Sequence, residues 1–168
     1  NIIRPGISTM EIDRFVEKTV REHGMRAAEK GYCGYPASIC VSINDEVVHG
    51  IPRRDHILKE GDIVSLDAGL IYKGYHSDAA RTHAVGKVSP EVQKLMDVTK
   101  QSFFEGIKQA KAGNHLFDIS AAIDDYVSGF GYGIVQDLVG HGIGTNLHED
   151  PQIPNFRQKR HGIKLVPG

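Results

Sequence analysis

The chain has 168 residues, of which 40% are hydrophobic and 24% are charged, a composition typical of one globular domain. Its 20 Lys and Arg residues are balanced by 21 Asp and Glu residues, so a net charge of −1 provides no basic surface for nucleic acid. No apolar run approaches the roughly 18 residues of a membrane span. We therefore predict a single domain over residues 1–168 that binds neither nucleic acid nor membrane.

The cysteines and the chain ends give two further expectations. Cys33 and Cys40 are too few for a disulfide scaffold and too far apart for a CxxC motif, so we expect a reducing compartment, the cytoplasm. No signal peptide is seen at Asn1. The missing initiator Met and the apolar run that stops at Pro167–Gly168 predict a piece of a longer chain.

The first part of the chain predicts a helix followed by strands. Ser8–Glu11 fits a capping box, and an apolar face at helical spacing follows until Gly24. β-branched residues dominate positions 39–48 and are interrupted at Asn44–Asp45, which predicts strand, turn and strand. A second pair of strands is predicted over 62–85.

The second part predicts two helices and a strand. Ser89–Pro90 opens a long helix that ends at Gly113, and Asp118 caps another that ends before Gly129. Strand signal returns at positions 134–139. This order is neither an alternation of strands and helices nor all-β, so we predict an α+β fold with helices packed on one face of a mainly antiparallel sheet.

Two aspartates stand inside predicted strands, where Asp is ordinarily depleted. Strands that turn at Lys73–Gly74 pair residues whose numbers sum to 147, which places Asp67 and Asp78 on one face about 7–8 Å apart at Cβ. The two charges repel each other unless a divalent cation keeps both ionised, and a dinuclear metal site fits this spacing. The alternative is that one Asp ends a strand and the other meets an Arg such as Arg81.

Three of the nine histidines lie beside glycine-rich or acidic stretches. His141 is flanked by glycines, His49 precedes Gly50, and His148 precedes Glu149. A neutral imidazole is the commonest metal ligand in proteins. Each histidine alone is more often an ordinary surface or core residue, but the group favours a metal site when it is taken with the two aspartates.

Four motifs follow one another in register along the chain. They are Gly34–Asn44 leading to Val48–Pro52, then Leu66–Gly69, then His76–Thr82, and finally Gly140–Gly144 with His148–Pro151. Together they closely resemble the type I methionine aminopeptidases. The resemblance implies the pita-bread fold, in which two α+β halves surround a dinuclear metal site. It also implies removal of the initiator Met from nascent polypeptides by a metal-activated hydroxide.

The resemblance implies a role for each matching residue. Asp67 resembles the bidentate ligand of one ion, Asp78 the bridging ligand, and His141 the imidazole ligand of the other ion. His49 and His148 resemble the two outer histidines that contact the substrate. The residues that match the lining of the pocket for the Met side chain are Tyr32, Tyr35, Cys40 and Leu147.

The sequence also departs from the family. Leu147 stands where an aromatic residue is frequent, and Glu29 stands where a cysteine often precedes the tyrosines. The family completes its metal site with two glutamates on strands that follow the equivalent of Gly168, so we expect this chain to lack those ligands.

The resemblance also implies cofactors and partners. We expect two divalent ions (Co, Mn, Fe or Zn), N-terminal Met peptides of nascent proteins as substrates, and a monomer, with ribosome association left open. A Xaa-Pro peptidase of the same fold is one alternative, against which Tyr35–Pro36 and the segment 40–49 argue. A noncatalytic binding module of that fold is the other.

Overall fold

The computed structural model describes residues 2–167; Asn1 and Gly168, the two ends of the predicted domain, lie outside them. The elements are helix α1 (Thr9–Glu22), strand β1 (Arg26–Ala27), a 3₁₀ turn (Tyr32–Gly34), strands β2 (Cys40–Ile43), β3 (Ile63–Tyr72) and β4 (Tyr75–Ala84), helices α2 (Pro90–Ile107) and α3 (Leu116–Ser128), and strands β5 (Gly140–Gly142) and β6 (Glu149–Ile153). Among the residues described, no helix combines the length and the apolar character needed to cross a bilayer.

The chain divides into two compact units. The first unit comprises Asn1–Pro90 and Ile143–His148, and the second comprises Glu91–Gly142 and Glu149–Gly168. The mixture of helices and antiparallel strands agrees with the predicted α+β class.

Helix α1 begins where the capping box predicts. Glu11 N donates to Ser8 Oγ at 3.3 Å, and Ser8 N donates to the Glu11 carboxylate at 2.8 Å. The Glu11 carboxylate thus satisfies Ser8 N, and Ser8 Oγ gives Glu11 N a second acceptor besides the Ser8 carbonyl at 3.0 Å. The helix then buries Ile12 and Val20.

Strand β3 is the centre of a four-stranded antiparallel sheet in the first unit. Strand β4 pairs with its whole length along one edge, while β2 and β1 pair with successive parts of the other edge. Lys73 and Gly74 have φ of +50° and +85°, as a tight two-residue hairpin turn requires. The predicted hairpin and its register are therefore confirmed.

The core of the first unit packs between the start of the chain, α1 and the sheet. Its buried side chains belong to aliphatic residues that converge from six segments. They are Ile7, Ile12, Ile39, Val41, Ile43, Leu58, Val64 and Val85.

The second unit packs α3 against α2 at a glycine. A Cβ atom at Gly106 would lie 2.8 Å from Cγ1 of Ile123, so the absence of a side chain allows the close approach. Helix α3 begins one turn earlier than predicted, because His115 is its N-cap and Asp118 is its third residue. The Asp118 carboxylate accepts from His115 N at 2.7 Å, which explains the capping signal that Asp118 gave.

Two strand predictions are wrong. Val47 and Val48 lie in no strand and are 64% and 44% exposed. They belong to a loop that brings the chain back to β2, where Gly50 N donates to Ser42 Oγ at 3.0 Å. Residues 134–139 also form no strand. Strand pairing begins only at Gly140, opposite Ile153. Residues 134–139 have strand-like composition but no partner strand, so they form no ladder.

Candidate metal and substrate site

The two strand aspartates lie on one face of the β3–β4 hairpin. Asp67 pairs with Ala80 and Asp78 with Gly69, so the carboxylates are diagonal neighbours as predicted. The backbone groups of Gly69 turn away from β4, since its carbonyl accepts from Ala28 N at 2.9 Å. Gly69 and Asp78 therefore form the close, non-hydrogen-bonded kind of pair, with no side chain opposite the Asp78 carboxylate. Asp67 is half-buried and Asp78 is exposed.

Glu29 brings a third carboxylate to this region. It is only 9% exposed, and its Oε1 accepts a hydrogen bond from Gly69 N. Burial, together with a smaller effect of the Asp67 and Asp78 charges, raises the pKa of Glu29 to about 7 against the lowering effect of its backbone hydrogen bonds. The sequence identified Glu29 only as a departure from the family, and no local pattern predicts its contact with Gly69, 40 positions away.

Cys40 lies beside Asp67 in the first unit, and Tyr35 contacts Cys40. Cys40 is 4% exposed and is the register partner of Asp67 on β2. Burial raises the pKa of the Cys40 thiol to about 11 and raises that of Tyr35 well above its ordinary value. Tyr35 Oη donates to the Gly50 carbonyl at 2.8 Å. Both side chains are therefore neutral, as the wall of a pocket for an apolar ligand requires.

Tyr32 and His148 form a second pair within the first unit. The Tyr32 hydroxyl lies 2.9 Å from His148 Nδ1, and the two rings are 5.3 Å apart. Leu147, beside His148, is buried at 7% exposure. His76 N donates to the Gly144 carbonyl at 2.7 Å and thereby ties this segment to β4.

His49 lies on the loop that returns to β2. Its φ of +57° is unusual for a residue with a side chain. Gly50 follows it, and a Cβ atom there would lie 2.2 Å from the Val41 carbonyl oxygen. Val41 N also donates to the Gly50 carbonyl at 2.9 Å. The backbone that carries His49 is thus fixed against β2, and its imidazole is exposed.

His141 lies on β5 in the second unit, opposite Gln152. Its Nδ1 is 2.8 Å from the Gly142 carbonyl, which can only accept, so Nδ1 carries the proton. Nε2 is then the nitrogen with the lone pair, which is the tautomer of a metal-ligating histidine. Gly142 has no room for a side chain, because a Cβ atom would lie 2.3 Å from the Asp150 carbonyl oxygen.

Within residues 2–167, three residues that could ligate a metal lie close together in the second unit. Ligand atoms of His115, Asp118 and His161 all lie within 4.8 Å of one another. The backbone bond from Phe117 N to the His161 carbonyl, 3.0 Å long, brings the two segments together. No sequence pattern singles out these two histidines, which are 46 positions apart and stand in no motif.

The donor set on the aspartate face fits a divalent ion. Carboxylate oxygens suit Mn²⁺ and similar hard ions. Three carboxylates near one another repel in the absence of a cation, and this repulsion contributes to the raised pKa of Glu29. The aspartate face therefore offers oxygen ligands of the kind that a divalent ion binds.

The sequence matches the profile of metallopeptidase family M24 over residues 1–168. It is 52% identical to the methionine aminopeptidase of Clostridium acetobutylicum over 165 residues, covering 98% of this chain and 66% of that protein. It is 46% identical to methionine aminopeptidase 1 of Bacillus subtilis over 166 residues, with 99% and 66% covered. The chain thus spans about 66% of the length of these relatives.

Solved structures agree with the sequence comparison. The methionine aminopeptidase of Thermotoga maritima superposes with a TM-score of 0.96 at 41% identity, covering 99% of this chain and 67% of that one. A Xaa-Pro dipeptidase of Bacillus anthracis superposes with a TM-score of 0.78 at 31% identity, with 91% and 42% covered. The fold is therefore the pita-bread fold that the motifs predict.

Proposed function

Because the chain belongs to metallopeptidase family M24, we propose that the whole protein is a methionine aminopeptidase that removes the initiator Met from nascent polypeptides. The observation that carries the proposal is the hairpin register, which places Asp67 and Asp78 on one face beside the buried Glu29. Identity of 52% to a methionine aminopeptidase supports the choice of substrate.

Asp67, Asp78 and His141 are the proposed ligands of two divalent ions, Co, Mn, Fe or Zn. Ions bound there would supply Lewis-acid activation of a water molecule and of the scissile carbonyl. The protein's part is to hold the carboxylates on rigid paired strands and to fix the His141 tautomer through the Gly142 carbonyl.

The substrate would be positioned by residues of the first unit. Tyr32, Tyr35, Cys40 and Leu147 are the proposed walls for the unbranched thioether side chain, and His49 would contact the substrate amide. With Tyr32 donating to Nδ1 of His148, Nε2 of that ring carries the proton and can donate it to the substrate carbonyl oxygen. A donor held in this way stabilises negative charge as it develops on that oxygen.

The remaining expectations belong to the same proposal. Nascent chains are the proposed partners, with ribosome association left open, and the protein is proposed to be a cytoplasmic monomer with a single catalytic domain. Size-exclusion chromatography with light scattering on the whole protein tests the monomer directly.

A peptide panel tests the proposed activity. The whole protein, loaded with Mn²⁺ or Co²⁺, should release Met from Met-Ala peptides and leave Leu-Ala and Xaa-Pro peptides nearly uncleaved. Faster cleavage of Xaa-Pro peptides would establish the prolidase alternative, which the likeness to a Xaa-Pro dipeptidase makes the relevant comparison. Peptide binding without any cleavage would establish the noncatalytic alternative.

A further inference from the structure

We infer that His115, Asp118 and His161 form a separate metal site in the second unit, which takes Zn²⁺ or a similar divalent ion that binds both imidazole and carboxylate. One ligand atom from each residue lies within 4.8 Å of the other two. Ligands of a tetrahedral Zn²⁺ ion at bond lengths of about 2.0–2.2 Å lie about 3.3–3.6 Å apart, so small side-chain movements bring the three onto one ion. The site uses no residue of the proposed catalytic centre and does not depend on the proposed function.

The backbone that carries these side chains is fixed before any ion binds. Residues 161–165 run antiparallel to residues 113–117, and backbone hydrogen bonds of 2.8–3.0 Å join the two segments along their length. Asp118 is held at the start of α3, where its Oδ2 accepts from His115 N at 2.7 Å. This bond leaves Oδ1 of the same carboxylate for an ion. Ligands held in place in this way lose little conformational freedom when a metal binds.

The three side chains converge without bonding to one another. Among the residues that the structure describes, no hydrogen bond or ion pair joins the side chains of His115, Asp118 and His161, and the two imidazole rings are 5.4 Å apart. An ion placed between them would bond to all three, because imidazole and carboxylate are both good ligands of Zn²⁺. His161 is exposed and the other two are half-buried, so water can fill a fourth position.

Two nearby positive groups act against a cation at this place. The first is the N-terminal end of α3, whose partial positive charge is opposed by the full negative charge of Asp118 in the first turn. The second is Lys164, the bridge partner of His115, which is exposed and can extend its ammonium group into water. The negative charge of Asp118 is therefore essential to the site, whereas its capping role needs only an oxygen that accepts from His115 N.

Zn²⁺ titration of the whole protein carrying Asp78→Asn tests the inference, because that substitution removes a ligand of the proposed catalytic ions. In calorimetry, His161→Ala should weaken one Zn²⁺ site at least about 100-fold, since loss of a ligand costs more than the 10- to 100-fold typical of a group that only supports one. Asp118→Asn should weaken the same site and keep the Tm of the metal-free protein. His23→Ala removes an exposed imidazole elsewhere and should bind Zn²⁺ as its parent does.

The outcomes separate this inference from the proposed function. Zn²⁺ binding by His161→Ala within twofold of its parent would overturn the inference, and so would an equal loss in His23→Ala. Full retention of the wild-type ions in Asp78→Asn would refute only the proposed catalytic site. Should His161→Ala not fold, a crystal structure of the wild type with Zn²⁺ decides. An anomalous peak about 2.0–2.2 Å from ligand atoms of all three residues supports the inference, and anything less overturns it.

Discussion

At the residue scale, some glycines of this chain lie where a side chain would collide with neighbouring backbone. Gly50 is the clearest case, because a Cβ atom there would lie 2.2 Å from the Val41 carbonyl oxygen of β2. The contact is with backbone, which cannot move without disturbing the sheet that carries Asp67. The sequence shows a glycine beside His49. The reason for a glycine there is its contact with the Val41 backbone, nine residues earlier, which no local pattern predicts.

Gly50→Ala should therefore lower the free energy of unfolding by about 2 kcal/mol or more, since the loop must move away from β2. Gly133→Ala is the matched control, because a Cβ atom at Gly133 has nothing within 4 Å. It should change stability by no more than about 0.5 kcal/mol. Urea denaturation of both variants measures the difference, and equal midpoints would show that the close approach is not rigid.

Glu29 makes the stability of the metal-free protein depend on pH. Its pKa is raised by burial from 4.5 to about 7 in the folded state, so the folded protein binds this proton more tightly than the unfolded chain. Its contribution to stability is complete below about pH 4.5 and is lost as the pH rises to about 7. In chelator, wild-type stability relative to Glu29→Gln should fall across this window by an amount on the order of 2–3 kcal/mol.

Glu17 provides the opposite control for that measurement. The hydrogen bond from Lys30 lowers its pKa, so its contribution is present above its ordinary pKa of 4.5 and is lost as the pH falls. Chemical denaturation across pH 4–8 of the wild type, Glu29→Gln and Glu17→Gln measures both effects. Stability curves for the wild type and Glu29→Gln that run parallel between pH 4.5 and 7 would contradict the buried, ionisable environment of Glu29.

At the scale of elements, the sequence predicts the features that depend on neighbouring residues and misses those that depend on distant ones. The turn at Lys73–Gly74 fixes the hairpin register through its own conformation, so the sequence was sufficient to place Asp67 and Asp78 on one face. The strand predicted at 134–139 failed because a strand needs a partner, and β6 pairs with Gly140–Gly142 instead. The carboxylate of Glu29 was missed for the same reason, since its contact with Gly69 joins residues 40 positions apart.

The capping box of α1 is the element whose stability contribution is easiest to isolate. Ser8→Ala removes the side-chain acceptor of Glu11 N and should cost about 1 kcal/mol of unfolding free energy. Lys18→Ala, on the same helix, removes an exposed pair with Glu22 at 3.8 Å and should change stability little. Thermal unfolding distinguishes them, and a Ser8→Ala variant as stable as Lys18→Ala would show that the cap contributes nothing.

At the scale of the whole molecule, the three proposed site histidines have different roles. His141→Ala should lose metal and activity together, because an imidazole bond to the ion disappears. His148→Ala should keep its metal while kcat falls, since a donor to developing charge contributes about 3 kcal/mol to the transition state. His49→Ala should behave as His148→Ala does. Metal analysis and kinetics of the purified variants test this division, and metal loss in His148→Ala equal to that in His141→Ala would refute it.

The central claim is that Asp67 and Asp78 support metal-dependent release of N-terminal Met. The most direct measurement is the rate at which the whole protein releases Met from a Met-Ala peptide, before and after metal is restored to the stripped enzyme, for the wild type and for Asp78→Asn. Restored metal should bring back activity in the wild type, whereas Asp78→Asn should stay inactive at the same metal concentration. Full activity in the stripped wild type, or wild-type rates in Asp78→Asn, would contradict the central claim.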